Sequence, residues 1–357
     1  MTEKHTLFEL PEAAPDHLYA LLRNAARGYK CFLALRVALD AGIFERLQKG
    51  GRPDALAACL GLDPQILEGL CALLVEEGLL DERGGKLFTS DDARTYLVPD
   101  SPLYQGAVLE NIDETFALWG RLWRALKQGP LNPFEEGLFG GAFLPALAAE
   151  TLAGEAQRTA ALVSAVPGFS QVREVLDLGG GHGLYALALC ARNPDLQAEI
   201  MDLDQVRPVA EANMLRFGAK RVRFTSGDVF HSDLGTDRDA VLLFYNPGGK
   251  RFDLLERIHA CLAPGGIFVS KHAFYSENEG SKDPLVDLEW RMTAFPGVSK
   301  GPNVYRFQGD LCYEAYRAEL ESRFEILADH GPEAFAAPNV GKFGDRLDSR
   351  LIVARKR

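Results

Sequence analysis

The stretch that most constrains this chain is Val175-Leu176-Asp177-Leu178-Gly179-Gly180-Gly181-His182-Gly183. A short apolar run ends beside an acid and passes straight into four glycines interrupted by one histidine. An alanine-rich segment suited to a helix, Leu184 to Ala191, follows. The order reads as strand, tight turn, helix. Glycines there let the backbone take positive φ and let a ligand approach main-chain N–H groups at a helix N-terminus. Taken alone, the turn serves NAD, FAD, a phosphate or another nucleoside equally well.

The rest of the second half extends the pattern. Val175–Leu178, Ala198–Met201, Val222–Thr225, Ala240–Phe244 and Ile267–Lys271 read as strands, with helices such as Val206–Phe217 and Phe252–Cys261 between them. Leu351–Ala354 reads as a last, antiparallel strand. Alternation of this kind predicts a doubly wound, Rossmann-like α/β sheet.

The first half differs. Residues 1 to about 20 are expected to be an extension, because Pro11 and Pro15 discourage a regular start. A buried helix then ends near Gly42, and a short helix runs over Pro53–Leu62. Asp63 caps a helix opened by Pro64, and Leu79–Thr89 forms a hairpin about Gly84-Gly85. Together these make a winged-helix unit. The helix from Pro64 to Glu77 carries Glu68, Glu76 and Glu77 without a Lys or Arg, so nucleic-acid phosphates would be repelled. A structural or dimerising role is expected. Aromatic-rich helices follow (Phe116, Trp119, Trp123, Phe134, Phe139, Phe143), suited to a core, an interface or the roof of a pocket. A helix over Glu150–Val166 leads onward, so the boundary is set near 148: residues 1–148 a helical winged-helix dimerisation domain, 149–357 the α/β domain.

Composition excludes several partners. A net charge of -11 over 357 residues argues against nucleic acid and anionic membranes. With no signal-peptide pattern and no long apolar run, a cytoplasmic location is expected. The six cysteines are scattered with no C-x-x-C pair, so they read as small buried hydrophobes and no metal site is expected.

Downstream acids narrow the nucleoside. Asp202 ends the second strand, where a carboxylate faces ribose hydroxyls, and Asp228 follows the third, where one can accept from an adenine amine beside Val229 and Phe230. Leu184 stands where a dinucleotide fingerprint needs its third glycine, which disfavours NAD. S-adenosyl-L-methionine (SAM) fits better. Asp177–Gly183, Met201-Asp202-Leu203, Gly227-Asp228-Val229-Phe230 and Leu262-Ala263-Pro264-Gly265-Gly266 resemble the class I SAM-dependent methyltransferases. With the winged-helix unit, residues 28 to 355 resemble the small-molecule O-methyltransferases of caffeate and hydroxyindole type and their bacterial tailoring relatives.

That resemblance implies a homodimer formed through the first domain. It implies a cofactor set of Asp177, Gly179, Gly181, Asp202, Leu203, Asp228, Val229 and Phe230: the glycines near the methionine part of SAM, Asp202 at the ribose, Asp228 and Phe230 at the adenine. His182 reads as non-catalytic. The family's catalytic histidine follows strand four, but here Phe244 or Tyr245 takes its place; phenylalanine takes no proton, and tyrosine with its ordinary pKa of ~10 is a poor base. His272 falls where many relatives have a glutamate, and is the candidate base or orienting group, with Tyr245 hydrogen-bonded to the substrate. Asp287–Met292 resembles the substrate-facing helix: Trp290 and Met292 are candidates to clamp a flat ring, and Arg291 or Arg306 to pair with an acidic group. The family's second catalytic glutamate has no counterpart in Asn303–Phe307. The expected activity is methyl transfer from SAM to a small aromatic or conjugated molecule, at a hydroxyl. The alternatives are C- or N-methylation, a non-methylating SAM-binding homologue of decarboxylase, hydroxylase or cyclase type, and a SAM-responsive regulator.

Overall fold

The computed structural model describes residues 13–132, 141–275, 283–294, 299–301, 307–337 and 348–357. By contacts the chain divides into two compact units between Tyr104 and Gln105, ahead of the boundary expected near 148. The helices from Gly106 to Glu150 therefore pack with the α/β half.

In the first unit, α1 (Asp16–Asp40) begins well before residue 20. Pro15 sits immediately ahead of the first helical residue, where its fixed φ costs nothing, so the expected extension is shorter than read. Gly42, at φ +62°, ends the run. Helices α2 (Pro53–Leu60) and α3 (Pro64–Glu76) precede the antiparallel hairpin of β1 (Leu80–Arg83) and β2 (Lys86–Thr89). Asp63 accepts from the Gln65 and Ile66 amides, as its N-cap role predicts. Ile43, Phe44, Leu47, Leu67, Leu74, Leu80 and Leu87 close the core of this unit.

The second unit carries α4 (Gly106–Trp119), α5 (Ala156–Ser164) and then the sheet. Between Glu150 and α5 the predicted continuous helix is broken by a π-helical turn, Thr151–Glu155. Gly154 at φ +132° makes that break possible. The sheet elements are β3 (Glu174–Leu178), α6 (Leu184–Arg192), β4 (Gln197–Asp202), α7 (Arg207–Arg216), β5 (Val222–Ser226), β6 (Arg238–Phe244), α8 (Phe252–Cys261) and β7 (Leu262–Phe274). After α9 (Pro284–Met292) and α10 (Tyr313–Arg323) come β8 (Phe324–His330) and β9 (Asp348–Lys356). Strand order is β5-β4-β3-β6-β7-β9-β8, parallel from β5 to β7 and antiparallel at β9 and β8. β8 was not expected from the sequence, and β7 starts earlier than Ile267. Leu262 pairs with Arg238 before a register shift restores the ladder at Ile267.

Strand order reverses between β3 and β6, so a crevice opens at their carboxyl ends. Into it run both the glycine turn after Leu178 and the loop after Phe244. The buried cluster of Leu176, Val241, Leu243, Leu254, Ile258, Phe268 and Phe324 fixes those strands.

Candidate functional site

The glycine turn is pinned to the sheet by its own backbone. Gly179 N donates to Met201 O at 2.7 Å, and Gly183 N to Gly180 O at 2.9 Å. Gly179 stands at φ +66°, and a Cβ there would lie 2.0 Å from Asn246 Nδ2, so only glycine lets the two segments meet. His182 bonds within the protein through both ring nitrogens. Its Nδ1 accepts from Leu184 N at 3.2 Å and caps α6, while Nε2 lies 3.3 Å from the buried Thr151 hydroxyl.

Two carboxylates lie to one side of the turn, Asp202 at the end of β4 and Asp228 just beyond β5. Asp202 accepts from Gly181 N at 2.8 Å through Oδ2 and from Leu203 N at 2.7 Å through Oδ1. Burial raises its pKa, opposed by those two amides. Asp228 accepts from Phe230 N at 2.8 Å, and its other oxygen lies 2.7 Å from His231 Nδ1. Burial pushes Asp228 up, but His231 and the Phe230 amide outweigh it and the pKa falls below the ordinary value. Asp177 lies beneath the turn, its Oδ2 2.8 Å from where a Gly180 Cβ would sit. Burial, with the nearby Asp202 charge, lifts its pKa to about 7. Val229 belongs to the core and packs against Gly179 rather than facing solvent, whereas Leu203 is 47% exposed. Phe230 packs on that core with the Arg251 guanidinium over its ring.

Each carboxylate oxygen of Asp202 carries a second lone pair beyond its one amide bond. Glycine backbone, paired strand-end acids and the apolar surfaces of Leu203 and Phe230 suit a nucleoside with a ribose diol. The residues present fit SAM.

Side chains, not backbone, build the other half. Tyr245 takes φ +51°, a value that among the described non-glycine residues only Asp237 approaches. Its hydroxyl bonds to Ser349 and Glu155, and burial together with the Glu155 charge pushes its pKa well above the ordinary value. The hydroxyl expected to meet substrate thus bonds within the protein, on a residue that is half-buried at the crevice. His272, next along β7 from Lys271, is 2% exposed, and its Nε2 has no hydrogen-bond partner among the described residues. Its ring edge abuts Gly249, where a Cβ would fall 2.6 Å from Cε1. Burial first, and the Lys250 charge second, hold its pKa well below the ordinary value. Lys250 itself pairs with Asp310 at 3.4 Å and donates to Ala273 O at 3.0 Å.

Comparison with known proteins gives the chain's family. The O-methyltransferase domain profile matches residues 150–293. The 3-hydroxy-5-methyl-1-naphthoate 3-O-methyltransferase of Streptomyces sahachiroi is 30% identical over 281 residues, covering 74% of this chain and 80% of that one. The chain belongs to the O-methyltransferase family. An uncharacterized protein of Methanocaldococcus jannaschii is 28% identical over 98% of this chain and all of its own length. Among solved structures, human N-acetylserotonin methyltransferase in complex with SAM shares the fold at TM-score 0.65 and 22% identity, covering 97% of this chain and 99% of that one. The chain is thus an enzyme of a family whose methyl donor is SAM.

The O-methyltransferase's substrate-facing candidates separate in space. Trp290 is half-buried, with Lys300 Nζ 3.9 Å over its ring and Phe307 edge-on at 5.5 Å. Met292 packs with Leu118, Ala125 and Leu131 in a small core, so it is a packing residue and not an exposed clamp. Arg291 is exposed. Arg306, Phe134 and Phe139 lie outside the described residues. Phe116, Trp123 and Phe143 are exposed, and the Trp119 indole donates to Glu289 at 2.7 Å.

Sequence reasoning missed a charged cluster behind the crevice. Lys271 Nζ, fully buried, lies 2.5 Å from Glu155 Oε1 and donates to Thr159 at 2.9 Å. The Tyr185 hydroxyl joins it, donating to Glu155 at 2.7 Å. One signal was present: a lysine inside the apolar strand Ile267-Phe268-Val269-Ser270-Lys271 cannot be buried without a partner.

Proposed function

We propose that this O-methyltransferase moves the methyl group of SAM to a hydroxyl on a small aromatic or conjugated acceptor. The observation that carries the donor assignment is Asp202: a strand-end carboxylate hydrogen-bonded to the glycine turn itself through Gly181 N. On this reading Gly179 and Gly181 pass close to the methionine portion and Asp202 takes the ribose hydroxyls. Asp228 and Phe230 hold the adenine, and Leu203 covers the nucleoside. Asp177 and Val229 support the turn from below. Bound there, SAM supplies an electrophilic methyl, and the chain aligns an acceptor oxygen with it.

His272 is the proposed acid–base group. The observation behind this is its Nε2, uncommitted within the described residues, on an imidazole that burial and the Lys250 charge keep neutral at pH 7. Trp290 would flank the acceptor's ring. An aromatic acceptor is supported by the relatives, which are named for a hydroxynaphthoate and for acetylserotonin.

The first unit is proposed as a winged-helix dimerisation domain. Along α1, Leu18, Leu22, Tyr29, Leu33 and Val37 recur on one helical face and are all exposed in the single chain. Such a stripe suits a second copy better than solvent. Glu76 and Glu77, paired with Arg27 on the surface, keep the face of α3 acidic and unsuited to nucleic acid. Among the described residues no helix is long and apolar enough to cross a membrane.

Purified protein incubated with SAM and a panel of phenolic and enolic acceptors tests the reading. S-adenosylhomocysteine (SAH) and an O-methylated product are expected. A product methylated on carbon or nitrogen, or an acceptor altered without SAH formation, would replace it with one of the alternatives.

A further inference from the structure

Glu155 and Lys271 form a buried ion pair that the proposed chemistry does not use. Such pairs are weak sources of stability, because desolvation offsets most of the attraction and an apolar pair of similar volume does as well. What this one holds is more informative. The Glu155 carboxylate accepts from Tyr185, in the first turn of α6 directly after the glycine turn. It also bonds the hydroxyl of Tyr245, at the end of β6 on the far side of the crevice. One carboxylate therefore ties both walls of the crevice together. Lys271, one strand over, fixes that carboxylate while its ammonium lies over the rings of Tyr185 and Tyr245, at 4.5 and 5.3 Å.

Tyr245 needs this hold. A left-handed backbone costs a bulky side chain on the order of 1–3 kcal/mol, and it persists only where surroundings enforce it. The enforcing contacts at Tyr245 lie at its backbone, where the N–H donates to Lys271 O at 2.7 Å, and at its hydroxyl, through Glu155 and Ser349. The gain appears one residue later. The left-handed turn at 245 delivers Asn246 against the glycine turn, where its Nδ2 occupies the space of a Gly179 side chain.

We propose that Glu155 and Tyr245 are positioning residues for the methyl donor, holding Asn246 against the glycine turn so that the donor meets a preformed crevice. The inference rests on the donor reading above. It concerns binding, not the proton transfer assigned to His272.

Tyr245→Phe tests it, since only the hydroxyl is lost and the ring stays. Titration calorimetry with SAM and with SAH should show dissociation constants raised about tenfold, the loss expected for a hydrogen bond to a charged group. The thermal midpoint should fall by only a few degrees, and kcat at saturating SAM should stay within about twofold, placing the effect in KM. A second variant, Glu155→Leu with Lys271→Met, removes the pair without stranding a buried charge, and should weaken donor binding similarly. If both variants bind donor within about twofold of wild type, the positioning role is wrong although the donor reading stands. If wild type binds neither SAM nor SAH, both fall together.

Discussion

The two halves of the crevice are made of different material. On the β3–β4–β5 side the site is backbone: turn amides, left-handed glycines and strand-end carboxylates that themselves bind main-chain N–H groups. On the β6–β7 side it is side chains packed across long sequence distances, with His272 against Gly249, Lys250 against Asp310 and Tyr245 against Glu155. A backbone site is set by local geometry and tolerates few changes. A side-chain site can be rebuilt one residue at a time. After β6 this chain carries Phe244 and Tyr245, while an imidazole, His272, stands on β7. Gly249 makes room for that ring, since a Cβ there would fall 2.6 Å from His272 Cε1.

If the donor half is a rigid backbone scaffold, the acid trapped beneath it should leave the largest mark. The Asp177 carboxyl ionises near pH 7 in the fold, against an ordinary value of 3.8. Between those values the folded chain holds a proton that the unfolded chain has released. Stability from this group is therefore complete below about pH 4 and falls by about 4 kcal/mol as pH rises through 7. Asp177→Asn should erase that component, so the gap between wild-type and variant unfolding free energies should widen in the variant's favour from pH 4.5 to 8. A gap independent of pH would show that the carboxylate is solvated or compensated. Next in size is Gly179→Val. A β-branched residue at φ +66° must also displace Asn246, so SAM affinity should fall by roughly 200-fold, about 3 kcal/mol. Binding near wild-type strength would mean that the turn is more plastic than the comparison requires.

The contrast also accounts for what could be read in advance. Asp177, Gly179–Gly183, Asp202 and Asp228 lie at strand ends, so alternating apolar runs locate them without knowledge of packing. The parallel sheet followed from the same runs. Harder to read were features decided at long range. Pro15 fits a helix start as well as an irregular extension, and only the rest of α1 decides between them. Met292 sits at helical spacing beside Trp290, yet its neighbours Leu118, Ala125 and Leu131 come from far upstream and make it core. Lys271 stands out as a cation in an apolar strand, but nothing in the sequence names Glu155 as the partner that the fold brings to 2.5 Å. Tyr245 is singled out in the sequence by standing where the family has its histidine, but its bonds to Glu155 and Ser349 form only in the fold.

His272 is where the comparison is sharpest, because the side-chain half must supply any proton acceptor. Burial and the Lys250 charge depress its pKa, so it is neutral across the physiological range and loses basic form only in acid. The rate should accordingly stay level as pH falls through 6.5 and drop only below it, unlike that of an ordinary imidazole. His272→Ala should lower kcat by about 10²-fold with the donor's dissociation constant unchanged, since the backbone half does not touch this ring. His272→Gln, similar in bulk but without a basic nitrogen, should be as slow. If instead both variants alter only KM for the acceptor, His272 shapes the pocket and alignment alone drives transfer, the acceptor hydroxyl being acidic enough to ionise unaided.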